Sequence, residues 1–184
     1  MPSQRWTPQR GAALLVERFG QARAFVLLTE LLSGSVPLRD CVRPPYADVL
    51  RLIGNDSTLL DDGTGSRLKY WPRSWAARAL AYLGDDGAGP WLVGALADAH
   101  WRVRMTAAQT LGRLRIEGYE EELGRVLDDP HERVRAAAAT ALGRTGGELA
   151  EAPLRVAMED DAEAVRAQAD RALARVEKRL REGR

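Results

Sequence analysis

The stretch DDPHERVRAAAATALGRTG, residues 128–146, has two further copies in this chain of 184 residues. DAHWRVRMTAAQTLGRL occupies residues 98–114 and DDAEAVRAQADRALARV occupies residues 160–176, so that corresponding positions are 31 residues apart. A fixed interval of this size is typical of repeat proteins, in which each unit buries its apolar face by packing against its neighbours. The spacing therefore predicts a stack of similar units.

Each repeat contains two segments with helical periodicity. In the second segment, Val134, Ala138 and Leu142 fall four residues apart, which places them on one helix face. In the first segment, apolar residues recur three and four residues apart. We expect two antiparallel helices of about 10–14 residues in each repeat. Gly112 and Gly143 are predicted to end the second helices.

The N-terminal half follows the pattern less closely. SWAARALAYLG, residues 74–84, aligns with the second segment of the first regular repeat at an interval of 28 residues. Terminal repeats are usually atypical because they cap the stack. We therefore predict one domain over residues 1–184. Its predicted parts are an N-terminal helical cap at 1–40, an irregular repeat at 45–84 with an insertion at 54–71, and regular repeats at 89–115, 117–145 and 147–181.

The repeated phrases resemble HEAT repeats, in particular the short bacterial HEAT-like repeats of the PBS-lyase type. The motif D-P-x-x-x-V-R-x-x-A-x-x-A-L-G is nearly complete at residues 129–143, and it is recognisable at 98–112 and 160–174. The resemblance is strong over residues 89–176 and weak over 45–84. It implies an all-α fold: a right-handed α-solenoid of stacked antiparallel helix pairs with an irregular N-terminal helical cap.

Two charged positions recur with the repeat. An Asp stands at the turn between the paired helices, and an Arg stands one turn into the second helix. Stacking is expected to bring each Arg near its own Asp and the Asp of the next repeat, which predicts a structural Asp–Arg ladder rather than a ligand site. Partly shielded pairs of this kind are expected to exceed the ~0–1 kcal/mol of an exposed pair. The ladder residues are Asp98, Arg104, Asp129, Arg135, Asp160 and Arg166.

The second helices are expected to line a concave surface, which repeat proteins often use for binding. This surface is predicted to be small and mostly uncharged, without the rows of Lys and Arg that a phosphate backbone requires. Aromatic and polar residues near the join between the irregular repeat and the first regular repeat are candidate contacts, with the insertion at 57–70 as a rim. The predicted partner-binding residues are Trp71, Arg73, Arg78, Trp101, Met105 and Gln109.

Candidate catalytic chemistry is scarce. The two histidines include one His–Glu pair, His131 and Glu132, whereas the HEAT-type hydroxylases carry several such pairs to hold two irons. Cys41 has no His close to it in the sequence, which argues only weakly against nucleophilic catalysis because partners can be distant. We predict no catalytic residue, no metal site, no cofactor and no enzymatic activity.

The sequence therefore favours a non-catalytic scaffold or adaptor that binds a protein or peptide partner. A net charge of +1 gives no overall attraction to nucleic acid, which is therefore not expected as the partner. Two alternatives remain open: a nucleic-acid-binding or alkylated-base DNA repair protein of the HEAT-like glycosylase type, and a lyase or accessory subunit resembling the phycobilin lyases. A single Cys and the absence of a long apolar run predict a cytoplasmic protein without membrane contact. We expect a monomer or a weak homodimer.

Overall fold

A computed structural model describes residues 6–54 and 70–183 of the chain, and every regular element within these ranges is helical. Most of the predicted insertion at 54–71 lies outside the described residues. The chain divides into two compact units, residues 1–91 and 92–184. No helix among the described residues combines the length and the apolar content that a membrane crossing requires.

The first unit is a cluster of helices from the predicted cap and irregular repeat. Helix α5 packs against α1, α2 and α4. The side chains between them include Leu15, Leu28, Leu50, Ile53 and Leu80, all of which are buried. The helices described in this unit are α1 (Pro8–Phe19), α2 (Gln21–Ser33), α3 (Leu38–Cys41), α4 (Tyr46–Gly54) and α5 (Trp71–Leu83).

The second unit contains stacked helix pairs, and the unit boundary falls within its first helix. In chain order, the longer second helices pack against one another, and each shorter first helix packs against the second helix of its own repeat in the last two repeats. The described helices are α6 (Gly89–Ala95), α7 (Trp101–Leu114), α8 (Glu120–Val126), α9 (Glu132–Thr145), α10 (Glu151–Ala157) and α11 (Glu163–Glu182).

The repeated apolar positions form the core of the second unit. Val134, Ala138 and Leu142 of α9 are fully buried, as are the equivalent Val103 and Leu111 of α7. Helices α7 and α9 therefore bury equivalent positions, as the four-residue spacing predicts. This unit is a short α-solenoid, and the all-helical architecture predicted from the sequence is confirmed.

Two details of the helix prediction are wrong. The first helices are seven residues long, because their ends tighten into turns with bonds to the third residue back, such as Asp129 N–H to the carbonyl of Val126. Gly112 and Gly143 lie inside their helices instead of ending them. Both permit close packing: a Cβ at Gly112 would lie 2.8 Å from the Cα of Ala141, and a Cβ at Gly143 would lie 2.7 Å from the Cα of Ala172.

Candidate functional site

Two arginines of the predicted ladder each form a two-point ion pair with the aspartate of the following repeat. Arg104 donates from Nε and Nη2 to the two carboxylate oxygens of Asp129, at 2.6 and 2.9 Å. Arg135 repeats this geometry on Asp160, at 2.7 and 2.8 Å. Planar two-point contacts of this kind are stronger than single hydrogen bonds and fix the relative position of the two groups. The pairs therefore join α7 to the turn before α9, and α9 to the turn before α11.

The contact of each arginine with its own repeat differs from the expectation. Arg104 and Arg135 donate from Nη1 to the backbone carbonyls of Asp98 and Asp129, at 2.9 and 3.0 Å, rather than to the carboxylates. Arg166, in the last repeat, makes the same kind of contact with the carbonyl of Asp160 at 2.7 Å. Arg104 and Arg135 therefore bond their own turn through a backbone carbonyl and the next turn through a carboxylate, whereas Arg166, among the described residues, bonds only its own turn.

The ladder pairs are shielded from solvent. The side chains of Arg104 and Asp129 are 14% and 7% exposed, whereas those of the surface pair Arg125 and Glu121 are both 71% exposed. Burial raises the pKa of Asp129, but hydrogen bonds from Arg104 and from a backbone N–H outweigh it, so that this pKa lies below its ordinary value. The carboxylate of Asp129 therefore stays charged to a lower pH than an ordinary Asp.

In the second pair, the hydrogen bond from Arg135 lowers the pKa of Asp160 to about 2. The same bond raises the pKa of Arg135 itself. Asp161, which is exposed, adds a second carboxylate contact to Arg135 at 2.6 Å. The ion pair therefore survives to a lower pH than an exposed Asp would allow.

Aspartate and histidine also shape the turns. Asp98 accepts the N–H of His100 at 2.8 Å, and Asp129 accepts the N–H of His131 at 2.9 Å. Nδ1 of each histidine then accepts the N–H of the residue two positions later, at 3.2 Å, which caps the start of α7 and α9. Both histidines in the chain are therefore occupied in helix capping.

Trp101, the first residue of α7, lies next to these capped turns. Its ring stacks on His131 of the next repeat with centroids 3.9 Å apart. The guanidinium of Arg102 lies 4.4 Å from the centre of the Trp101 ring, and that of Arg133 lies 5.8 Å from it. Cation–π contacts of this kind contribute about 0.5–1 kcal/mol each at exposed sites. Trp101 thus packs two successive repeats together.

A groove lies along the faces of α7, α9 and α11 in the second unit. Its volume is about 510 Å³, which lies within the usual range for ligand pockets. Thr140 of α9 donates to Oε1 of Gln168 of α11 at 3.3 Å and so links two of the helices across the groove. The lining combines small apolar side chains, amides, one thioether and guanidinium groups, among them Met105, Gln109, Arg113, Arg133, Ala136 and Arg144.

Comparison with known proteins identifies the family. A family model described as HEAT repeats matches residues 68–123 and 120–180, which together make up more than half of the chain. The chain belongs to the HEAT repeat family. HEAT repeats commonly mediate protein–protein interaction. No curated protein matches the chain significantly.

The groove of the HEAT repeats includes two of the six predicted contact residues. Met105 and Gln109 of α7 both line it. Trp101 is the first residue of the same helix, outside the groove lining, and its ring stacks on His131. The predicted role of Trp101 in partner binding stays a prediction, and the packing observed at its ring gives it a structural role as well.

The other three predicted contacts lie on α5 in the first unit. Trp71 stacks on Trp75 with centroids 5.6 Å apart. Arg73 lines a small cavity of about 190 Å³ beside Leu31 and Cys41. These positions, like Trp101, stay predictions as contact residues.

Arg78 is engaged within the first unit. Its Nη2 donates to the carbonyl of Ile53 at 3.1 Å, near the end of α4, and its guanidinium lies 5.7 Å from the ring centre of Trp6. Burial lowers the pKa of Arg78. Arg78 therefore holds two helices of this unit together, and substituting it changes packing as well as surface charge.

The arginines of the groove were missed from the sequence. A mostly uncharged surface was expected, but Arg113, Arg133 and Arg144 all line the groove and all are exposed. A signal was present, because Arg113, Arg144 and Arg175 are separated by the same 31 residues as the repeats. Each arginine also follows a small residue: Gly112 and Gly143, which lie at close helix contacts, and the equivalent Ala174. The repeat interval therefore places the three arginines along one edge.

Proposed function

We propose that this HEAT repeat protein is a non-catalytic adaptor that holds a segment of a partner protein in the groove of α7, α9 and α11. The observation that carries the proposal is the composition of the groove. Its amides and hydroxyl, such as Gln109 and Thr140, are suited to hydrogen bonding with a peptide backbone, and Met105 offers an adaptable apolar contact. Small residues such as Ala136 leave room for the bound chain.

The absence of catalysis is part of the proposal. Burial, with a smaller contribution from Asp40, raises the pKa of Cys41, and a thiol held protonated is a poor nucleophile. His100 and His131 each use Nδ1 to accept a backbone N–H, so that neither presents that nitrogen as a general base. These contacts support a binding role over a hydrolytic or transfer reaction.

The test is site-specific photo-crosslinking in lysate of the source cells. A photoreactive phenylalanine analogue replaces Gln109, which is exposed in the groove; the control carries it at Val156 on α10, which is 73% exposed and outside the groove lining. We expect defined adducts, identified by mass spectrometry, from the groove position alone. Ala136→Trp, which fills the groove, should abolish them, while Val156→Trp should not. The same proteins captured from both positions would contradict the proposal.

A second candidate function is binding of nucleic acid, and the exposed arginines beside the groove favour it. Phosphate contacts from Arg produce affinity that falls steeply with salt concentration. Titration of labelled duplex and single-stranded DNA at low salt tests this candidate. A tight, salt-sensitive complex that Arg144→Glu removes would support it over a protein partner.

A further inference from the structure

The second unit carries a column of arginines apart from the Asp–Arg ladder. Arg113 lies near the end of α7, Arg144 near the end of α9, and Arg175 at the matching place in α11. All three side chains are exposed. The side chains of Arg144 and Arg175 make neither an ion pair nor a hydrogen bond with any described residue. We call Arg113, Arg144 and Arg175 the exposed arginine column.

The packing of the helices makes these arginines neighbours. At the residues just before them, the backbones approach so closely that a Cβ on Gly143 would meet Ala172 at 2.7 Å. Arg144 lines the groove together with Arg113, and it also lines an adjoining cavity of about 460 Å³ together with Arg175. Packed helices lie about 8–10 Å apart, so the backbone positions that carry successive arginines of the column are separated by about that distance.

Two other cations of this edge are already engaged. Arg179 donates to the carbonyls of Gly143 and Gly146, at the end of α9. Lys178 pairs with Glu182 at 3.7 Å. The positive charge of Arg144 is not offset in this way, so the edge of the groove presents a net site for anions.

We propose that the partner segment held by the groove is acidic and extended, with a carboxylate at every third residue lying along the exposed arginine column. This inference rests on the proposed function and adds the chemistry of the partner. A polyproline II chain has three residues per turn and rises about 3.1 Å per residue, so every third side chain lies on one face at steps of about 9 Å. That step matches the spacing of packed helices.

The rest of the groove favours a protein segment over nucleic acid. No described residue lining it is aromatic, whereas single-stranded nucleic acid is usually held by bases stacked on aromatic rings. Gln109 and Gln168 instead provide amides for a peptide backbone. The chain as a whole carries a net charge of only +1, so its affinity for a phosphate backbone depends on local patches.

Fluorescence anisotropy with synthetic peptides and the full chain tests the inference. The probe is a labelled peptide of Glu-Pro-Pro repeats, which favours the polyproline II form. We expect a Gln-Pro-Pro peptide to bind at least about tenfold more weakly, and Arg144→Glu to weaken binding of the glutamate peptide by about tenfold. Arg125→Glu, the same charge change on α8 outside the groove lining, should change affinity less than about twofold.

Three outcomes overturn the inference. One is no binding of the Glu-Pro-Pro peptide at low salt, and another is equal weakening by Arg144→Glu and Arg125→Glu. The third is equal affinity for a peptide of the same composition with all its glutamates in one block. Crosslinking of the native partner distinguishes failure of this inference from failure of the proposed function. Adducts that are lost with Ala136→Trp but retained with Arg144→Glu would support binding in the groove and contradict an acidic partner.

Discussion

Two columns of arginines run along the same three helices, and their surroundings are opposite. Both keep the 31-residue interval of the repeats. The ladder column lies near the start of each helix, where its first two members face carboxylates. The exposed column lies nearer the other end, where Arg144 and Arg175 meet no acid among the described residues. The members of the ladder column are Arg104, Arg135 and Arg166; those of the exposed column are Arg113, Arg144 and Arg175.

The difference shows that a repeat interval sets the location of a residue but not its role. Near the helix starts, the turn of the same repeat offers a backbone carbonyl and the turn of the next repeat offers an aspartate, so a largely buried Arg gains stabilising partners. Near the opposite edge, the helices meet through small residues, and the side chains that follow them point into solvent. The ladder column therefore serves the fold, whereas the side chains of Arg144 and Arg175 in the exposed column make no ion pair or hydrogen bond with the described residues.

The strongest way to break the comparison is to remove an acid of the ladder. Asp129→Ala leaves the guanidinium of Arg104, only 14% exposed, without its carboxylate. We expect the free energy of unfolding to fall by about 3 kcal/mol, as for other buried pairs that lose one member. Urea denaturation followed by circular dichroism measures it. Asp128→Ala, one residue away and exposed, is the control and should cost less than about 0.5 kcal/mol; equal losses would mean that the pair contributes no special stability.

The second test uses acid in place of mutation. The pKa of Asp160 is lowered from 3.8 to about 2. Its contribution to the free energy of unfolding is therefore present above pH 3.8 and is lost as the pH falls through about 2. This contribution is about 2 kcal/mol. Unfolding free energies measured from pH 5 down to pH 2 should therefore fall more steeply in the natural protein than in Asp160→Asn. Parallel curves for the two proteins would show that Asp160 does not drive the loss.

The third test forces α9 and α11 apart at the edge that carries the exposed arginine column. Gly143→Ala places a methyl group 2.7 Å from both Cα and Cβ of Ala172, so α9 and α11 must move apart. The strain outweighs the helix propensity that Ala gains, and we expect a net loss of about 1–2 kcal/mol in unfolding free energy. Gly124→Ala is the matched control, because its methyl would meet only Pro153 at 3.8 Å. A gain of up to about 1 kcal/mol is expected there, and a gain at Gly143 would contradict the close contact.

Local spacing predicted the helices of the repeats well, and contacts between repeats less well. Val134 and Leu142 needed only their own four-residue periodicity to be placed in the core. Gly143 was predicted to end a helix, because a Gly near a helix end usually does so. The residue that explains it, Ala172, stands 29 positions later in the chain, and no local pattern links the two.

The site shows the same limit. The Asp and Arg positions were visible as columns, but the sequence alone did not show that Arg104 holds the carboxylate of Asp129 and only the carbonyl of Asp98. The exposed arginine column was overlooked because its members lie outside the recurring family motif. Met105 and Gln109 were predicted to lie on the concave face formed by the second helices, and both line the groove.

The last test sharpens the comparison most, because it sets the smallest expected effect beside a large one on one helix and with one kind of substitution. Arg135→Ala and Arg144→Ala stand nine residues apart on α9, and both remove a guanidinium. We expect Arg135→Ala to lower the unfolding free energy by about 3 kcal/mol, since it leaves the largely buried carboxylate of Asp160 unpaired. Arg144→Ala should change it by less than about 0.5 kcal/mol, since no described residue bonds to that side chain. Urea denaturation measures the unfolding free energy of both variants. A loss of similar size in both would show that Arg144 stabilises the fold, which would contradict a role for it in partner binding alone.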